Sequence, residues 1–258
     1  MIEVRHRACG VAAAAAMSIM VAIACSDIGP EGVPASIAFD ALPWPSVVLG
    51  DSLRNTDGVA VPLTASVFDA RNQPVLDADV QFVSLDPTIT ITDDGFVTGE
   101  TFGTARIVAE IAGLQTSALT LVVTREPDTL RAIGDTVLSV EYALPDVTTQ
   151  DLAVHVGHLT PPTPADTVVP GWIVHFAIVG QTPGDTTRGY LVRENTTIKA
   201  NADTTDATGR ALMEFRLNPI TFPVVQDTIE VLATASYKGE PIPGSPVRFV
   251  LLVRPAAP

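Results

Sequence analysis

Ser52 lies in Val47-Val-Leu-Gly-Asp-Ser-Leu53, where an apolar run breaks at Gly50 and leaves a hydroxyl beside the Asp51 carboxylate. A serine at such a turn is a nucleophile only if a base stands within hydrogen-bond reach and donors await the oxyanion. The nearest arrangement of base and acid is Asp151-Leu-Ala-Val-His155, about a hundred residues on, and no oxyanion block accompanies it. His155 and His158 form a His-x-x-His pair of zinc-ligand type. On a strand, residues three apart face opposite sides, and no third ligand is evident. Asp93-Asp94, Asp203 and Asp206 lack the regular oxygen spacing of a calcium loop and read as turn acids. No catalytic residue, metal or cofactor is therefore expected, and the chain reads as a non-enzyme.

The elements that would position these residues are short strands. From Asp93 to Ile111 the chain reads Asp-Asp-Gly-Phe-Val-Thr-Gly-Glu-Thr-Phe-Gly-Thr-Ala-Arg-Ile-Val-Ala-Glu-Ile. Gly95, Gly99 and Gly103 mark turns between two strands, and Ala105, Ile107, Ala109 and Ile111 alternate with Arg106 and Glu110. That is the period of a half-buried antiparallel strand. The same alternation recurs at Val61, Leu63, Ala65 and Val67; at Trp172, Val174, Phe176 and Ile178; at Ala211, Met213, Phe215 and Leu217; and at Val247, Phe249, Leu251 and Val253. With 21 prolines, 18 glycines and no long amphipathic helical pattern, the chain is expected to be all-β. Its 258 residues suit one large or two ordinary domains.

Charge narrows the partners. The net charge is −14 and the only lysines are Lys199 and Lys238. Nucleic acid binding needs a basic face that displaces phosphate counterions, so that class is set aside. The cysteines, Cys9 and Cys25, both precede residue 26, so no disulfide and no cysteine zinc site can form in the strands that follow.

Arg5 and Arg7 precede an apolar run from Ala8 to Ala24, the pattern of a secretory signal peptide over residues 1–24. Its end, Val21-Ala-Ile-Ala-Cys25, resembles the lipobox of bacterial lipoproteins. That resemblance implies cleavage before Cys25, a lipid on its sulfur, and a tether over residues 25–34. Ser26 stands where an aspartate signals inner-membrane retention in enteric lipoproteins, which by resemblance points to the outer membrane.

Residues 35–124 and 125–258 are expected to be two tandem immunoglobulin-like β-sandwiches. In the first, Leu49-Gly-Asp-Ser52, Leu63-Thr-Ala-Ser-Val-Phe-Asp69, Ser84-Leu-Asp-Pro87, Asp94-Gly-Phe-Val-Thr-Gly99 and Gly103-Thr-Ala-Arg-Ile107 resemble the group 2 bacterial immunoglobulin-like domain. Phe82 stands where that family often has tryptophan and still supplies an aromatic for the core. In the second, Pro170-Gly-Trp-Ile-Val-His-Phe176, Asp203-Thr-Thr-Asp-Ala-Thr-Gly-Arg-Ala-Leu-Met-Glu-Phe215 and Ile229-Glu-Val-Leu-Ala-Thr-Ala235 resemble, more loosely, the group 1 domain of the intimin and invasin type. The run around Ser52 is also similar to the nucleophile block of GDSL esterases, but that family's later Gly, Asn and Asp-x-x-His blocks have no counterpart.

The function expected is a lipid-anchored envelope protein of display, adhesion or protein interaction, with a surface or periplasmic protein or polysaccharide as ligand. The alternative is a carbohydrate-binding or accessory subunit of an envelope complex. For that role Trp44, between Pro43 and Pro45, is the aromatic that an exposed platform would use. An esterase is the remote third.

Overall fold

The computed structural model of the protein describes residues 31–142, 149–160, 165–180, 188–217 and 227–255. The expected signal peptide, Cys9, Cys25, the expected tether up to residue 30, and Pro183-Gly184-Asp185, whose residue types suit a turn, lie outside the described residues. Every regular element among the described residues is a β-strand.

The first nine strands are β1 (Pro34–Phe39), β2 (Ser46–Val48), β3 (Ala65–Asp69), β4 (Gln81–Ser84), β5 (Ile89–Ile91), β6 (Val97–Gly99), β7 (Gly103–Ile111), β8 (Leu114–Gln115) and β9 (Leu119–Thr124). One layer has the order β2-β9-β7-β4, with β8 on β7. The facing layer is built from the pairs β1-β3 and β5-β6. Val47, Leu53, Leu63, Val67, Ile89, Val97, Ile107 and Leu121 are buried between them. Phe82 packs on Phe39 at 5.5 Å between ring centroids, so an aromatic does fill the place expected of it. The alternating run expected from Val61 becomes a regular strand only at Ala65. Pro62 has no N–H to give a ladder. Val61 and Leu63 instead donate singly, to Leu53 O and Gly95 O.

The second set is β10 (Thr129–Ala132), β11 (Val137–Tyr142), β12 (Thr149–Thr160), β13 (Ala165–Val168), β14 (Ile173–Ile178), β15 (Gly189–Arg193), β16 (Ala202–Thr204), β17 (Arg210–Leu217), β18 (Asp227–Thr234), β19 (Ser236–Tyr237), β20 (Glu240–Pro241) and β21 (Val247–Pro255). One sheet has the order β10-β12-β17-β15, with β13 on β12; the other is β11-β21-β18-β14-β16. Leu152, Val154, Val174, Phe176, Met213, Phe215, Ile229, Phe249 and Leu251 are fully or almost fully buried between them.

In both halves the opening segment divides between the two layers, as β1 then β2 and as β10 then β11. Its second part runs parallel to the last strand of the half, β2 along β9 and β11 along β21. A strand that changes sheets and closes beside the final strand, with all other pairs antiparallel, is the immunoglobulin-like plan. The chain is thus all-β, two tandem immunoglobulin-like sandwiches, and among the described residues no strand of one half pairs with a strand of the other.

Two differences from the strand pattern have physical causes. Beyond Val156, where the apolar alternation of Leu152, Val154 and Val156 ends, β12 continues and Gly157 to Thr160 pair with β13. On β17, Leu212 and Glu214 face outward by alternation yet are 2% and 8% exposed. The crossing from β15 to β16 lies over that face. The Asn195 amide donates to Glu214 Oε1 at 2.6 Å, Arg216 donates to Thr196 O at 2.6 Å, and the Leu212 amide donates to Asp203 Oδ2 at 2.8 Å.

Candidate functional site: the joint between the sandwiches

The residues singled out for chemistry are not brought together. The crevice that Ser52 lines contains no histidine. His155 is on β12 in the second sandwich with its Nε2 beside Gly209, His158 is held at Asp128, and His175 is exposed on β14. Among the described residues no group of three His, Cys, Asp or Glu side chains is placed to hold a metal ion. Asp206 accepts from the Thr208 and Arg210 amides and the Thr208 hydroxyl, and Asp203 accepts from Leu212, so both serve local turns.

What the fold does assemble is a joint centred on Asp51. The segment after β2 turns at Gly50, and Arg54 reaches back three residues to grip both oxygens of Asp51, Nε to Oδ2 at 2.9 Å and Nη2 to Oδ1 at 2.8 Å. The Ser52 amide adds a third bond at 2.8 Å. The loop closes through Asn55, whose side-chain oxygen accepts from the Asp57 and Val59 amides, an Asx turn. Arg54 Nη1 also donates to Gly58 O at 2.8 Å.

From the second sandwich comes the β19-β20 hairpin. Its two-residue tip, Lys238-Gly239, has φ of 53° and 81°, the two positive values of a type I′ turn. A lysine in the left-handed region costs about 1–2 kcal/mol. The hairpin delivers Tyr237 and Lys238 to Asp51. The tyrosine hydroxyl donates to Asp51 Oδ2 at 2.6 Å, and Lys238 Nζ lies 3.5 Å from the same oxygen.

The electrostatics follow from this crowding. Burial opposes ionisation of Asp51, but the Arg54 guanidinium, the Tyr237 hydroxyl and the Ser52 amide outweigh it. Together they hold its carboxyl well below the usual carboxylate range. Burial, and donation to the Asp51 anion, push the Tyr237 phenol well above its ordinary value. Asp51 is therefore an ionised latch, with a strong short bond to the opposite sandwich.

Beside the latch the contact is apolar and close. Trp44 lies 5.3 Å from Trp172 between ring centroids, tilted by 58°, and Trp172 meets Tyr237 edge-on at 5.8 Å. Trp44 and Trp172 are 7% and 4% exposed. This corrects the expectation for Trp44: it is a core residue of the joint and offers no face to a sugar. The Ser46 hydroxyl donates to Gly171 O at 2.8 Å. Gly58 has φ of +77°, and a Cβ there would sit 2.2 Å from the Gly239 nitrogen, so backbone touches backbone across the joint.

The linker is strapped to both sides. Arg125 stacks on Phe102 of the first sandwich at 4.5 Å. Asp128 donates its amide to Gly157 O and accepts from the Leu159 amide, while His158 Nδ1 lies 3.1 Å from Asp128 Oδ2. The chain enters at the opposite end of the first sandwich, where the Gly32 amide meets Asp69 and Pro34 pairs with Asp69.

No protein-family model matches the chain, and no curated protein matches it. Among solved structures it is similar to domains 4 and 5 of the S-layer protein SbsC, at 15% identity over 85% of this chain and 96% of that one, TM-score 0.31. It is similar to the Yersinia pseudotuberculosis adhesin InvE at 17% identity, over 84% of this chain and 58% of that one, TM-score 0.34. The D0-D1 domain of intimin gives 16% identity over 84% and 98%, TM-score 0.25. The immunoglobulin-like assignment rests on the strand order of the chain itself.

Nothing in the sequence pattern pairs Asp51 with Tyr237. The one signal was Lys238-Gly239 after an alternating run, which marks a hairpin turn without saying what its tip meets.

Proposed function

We propose that this chain is a non-enzymatic, lipid-anchored envelope protein that acts as a stiff display or adhesion module. In this reading Cys25 carries the lipid after removal of residues 1–24, and residues 25–34 tether it to the membrane. The first sandwich, 35–124, is of the group 2 type and the second, 125–258, is of the group 1 type. The anchor is in the outer membrane, and the partner is a surface or periplasmic protein or polysaccharide.

The joint is the observation that carries this reading. A latch, an aromatic stack and backbone contact oppose independent motion of the sandwiches, which linked domains otherwise show by default. The chain enters the first sandwich at the end away from the joint. An anchor at Cys25 would then keep the first sandwich near the membrane and hold the second one outward. Acyl chains contribute about 0.8 kcal/mol per buried methylene, so several of them anchor stably. The burial of Trp44 removes the aromatic on which the carbohydrate alternative rested.

Protease shaving of intact cells tests the reading, with wild type compared with Cys25→Ala. Digestion of wild type on intact cells means the sandwiches face outward, as an adhesin requires. Protection until the envelope is permeabilised makes it a periplasmic spacer. Cys25→Ala is expected to leave the membrane fraction, and unchanged detergent partitioning of that variant refutes the anchor.

A further inference from the structure

One peptide bond at which the two sandwiches touch is also a chemically labile one. The chain has two Asp-Gly pairs, Asp57-Gly58 and Asp94-Gly95, and no Asn-Gly. Glycine has no side chain to shield its amide nitrogen, so in Asp-Gly that nitrogen can reach the carboxyl carbon of the aspartate. Asp57 is exposed, and Gly58 lies against the hairpin tip of the second sandwich. A Cβ on Gly58 would sit 2.2 Å from the Gly239 nitrogen, and a Cβ on Gly239 would sit 3.1 Å from the Asp57 carbonyl oxygen. The peptide between Asp57 and Gly58 is therefore itself a face of the joint. Asp94-Gly95 is not, since a Cβ on Gly95 would meet Leu63 and Phe82 of its own sandwich.

The closed joint holds this peptide away from the geometry the reaction needs. The Gly58 amide donates to Asn55 O at 3.0 Å, and Asn55 Oδ1 accepts from the Asp57 and Val59 amides at 3.1 and 3.0 Å. For the Gly58 nitrogen to attack the Asp57 side chain, its own hydrogen bond must break and the peptide must rotate. Gly58 is pressed on Gly239, so that rotation requires the hairpin to withdraw. Once it has, the Gly58 nitrogen bonds to Asp57 Cγ, the carboxyl hydroxyl leaves with the amide proton as water, and a succinimide ring closes. Water then adds to a ring carbonyl. Where it adds at the former main-chain carbonyl, the backbone runs on through Cβ and Cγ and gains one methylene. The water lost is regained, and nothing is oxidised or reduced.

We propose that Asp57-Gly58 is a modification site, an aspartate-to-isoaspartate switch that the seated hairpin holds off and that keeps the joint open once it has turned over. The added methylene lengthens the main chain by one bond of about 1.5 Å. It does so between Asn55, which closes the loop, and Gly58, whose carbonyl accepts from Arg54 at 2.8 Å. The isomerised loop cannot return Gly58 to its place against Gly239. This goes beyond the display role and does not depend on it.

The test ages the full chain after residue 25 in warm neutral buffer and then digests it with trypsin. Arg54, Arg71 and Arg106 place the two Asp-Gly pairs in separate peptides, 55–71 and 72–106. Isoaspartate in each is read by chromatographic separation of the two isobaric forms and by labelling with an isoaspartyl methyltransferase. The same chain aged in urea sets the unrestrained rate. In the folded wild type, Asp57 is expected to isomerise more than about tenfold more slowly than in urea. Tyr237→Phe, which favours opening of the joint by about tenfold, should speed Asp57 by about that factor and leave Asp94 unchanged. Ser46→Ala, which removes the bond to Gly171 O, replaces it if Tyr237→Phe fails to fold. Equal rates for Asp57 in the folded and urea-treated chain, no acceleration in the loosened variant, or an equal acceleration at Asp94 overturns the proposal. The chain isomerised at position 57, once isolated, should shift its tryptophan emission to the red, because Trp44 and Trp172 are buried at the joint. An unchanged spectrum overturns the claim that the modification keeps the joint open.

Discussion

Tyr237→Phe isolates the latch while leaving the stack. The substitution removes one hydroxyl, keeps the ring against Trp172, and leaves Asp51 with its two bonds from Arg54 and one from Ser52. The carboxylate is not orphaned, so the cost is that of one hydrogen bond to a charged group and not of a buried bare charge. Such bonds contribute about 1.5–3 kcal/mol, and the remaining partners place this one near 1.5 kcal/mol. That is about a tenfold change in the equilibrium for opening the joint. Urea unfolding at pH 7 should show a lowered midpoint with little change in slope. The pH dependence carries the sharper test. Because the folded-state pKa of Asp51 is depressed, its contribution is present above the unfolded carboxylate value of about 3.9 and is lost as pH falls toward the folded value. Loss of the Tyr237 bond raises the folded value, so the variant protonates first and the gap to wild type narrows in acid. Tyr237, whose phenol is pushed up, works at the other end: its contribution is present below about pH 10 and is lost as pH rises toward the raised folded value. A loss below about 0.5 kcal/mol at pH 7, or a gap that widens as pH falls, would refute the latch.

Gly58→Ala should cost at least about 1 kcal/mol for its left-handed backbone alone, and its methyl meets the Gly239 nitrogen at 2.2 Å, so the sandwiches must part. With Trp44 and Trp172 the only tryptophans, the emission maximum is expected to move to the red, and an unchanged spectrum would mean the joint tolerates the methyl. Glu214→Ala removes the acceptor for the Asn195 amide and the partner of Arg216. Those two, the Asn195 amide first, hold the Glu214 carboxyl below its usual range. Amide exchange at residues 194–201 should accelerate selectively in that variant, and protection equal to wild type would show that the crossing is held by other contacts.

The strands themselves were legible because a half-buried strand writes its geometry into the chain at a period of two. Val174 and Phe176, Met213 and Phe215, Phe249 and Leu251 are buried as their alternation demands. The glycines at turns likewise record a local need, since a positive φ is a property of one residue and its neighbours. The acidic charge and the cysteine positions also bear on partners and cross-links without any fold.

The joint was not legible, and the reason is that it is made of long-range pairs. Asp51 and Tyr237 are 186 residues apart in the chain, and the local pattern of Asp51-Ser52 suggested a nucleophile's turn where the fold has a latch. Trp44 between two prolines looked like an exposed platform until Trp172 arrived from the other sandwich. Leu212 and Glu214 obeyed their alternation and were buried all the same, because a crossing segment lay over their face. Local periodicity determines which side of a strand a residue takes. What then covers that side is decided only when distant segments pack, and here that packing brings Tyr237 onto Asp51 and Trp172 onto Trp44.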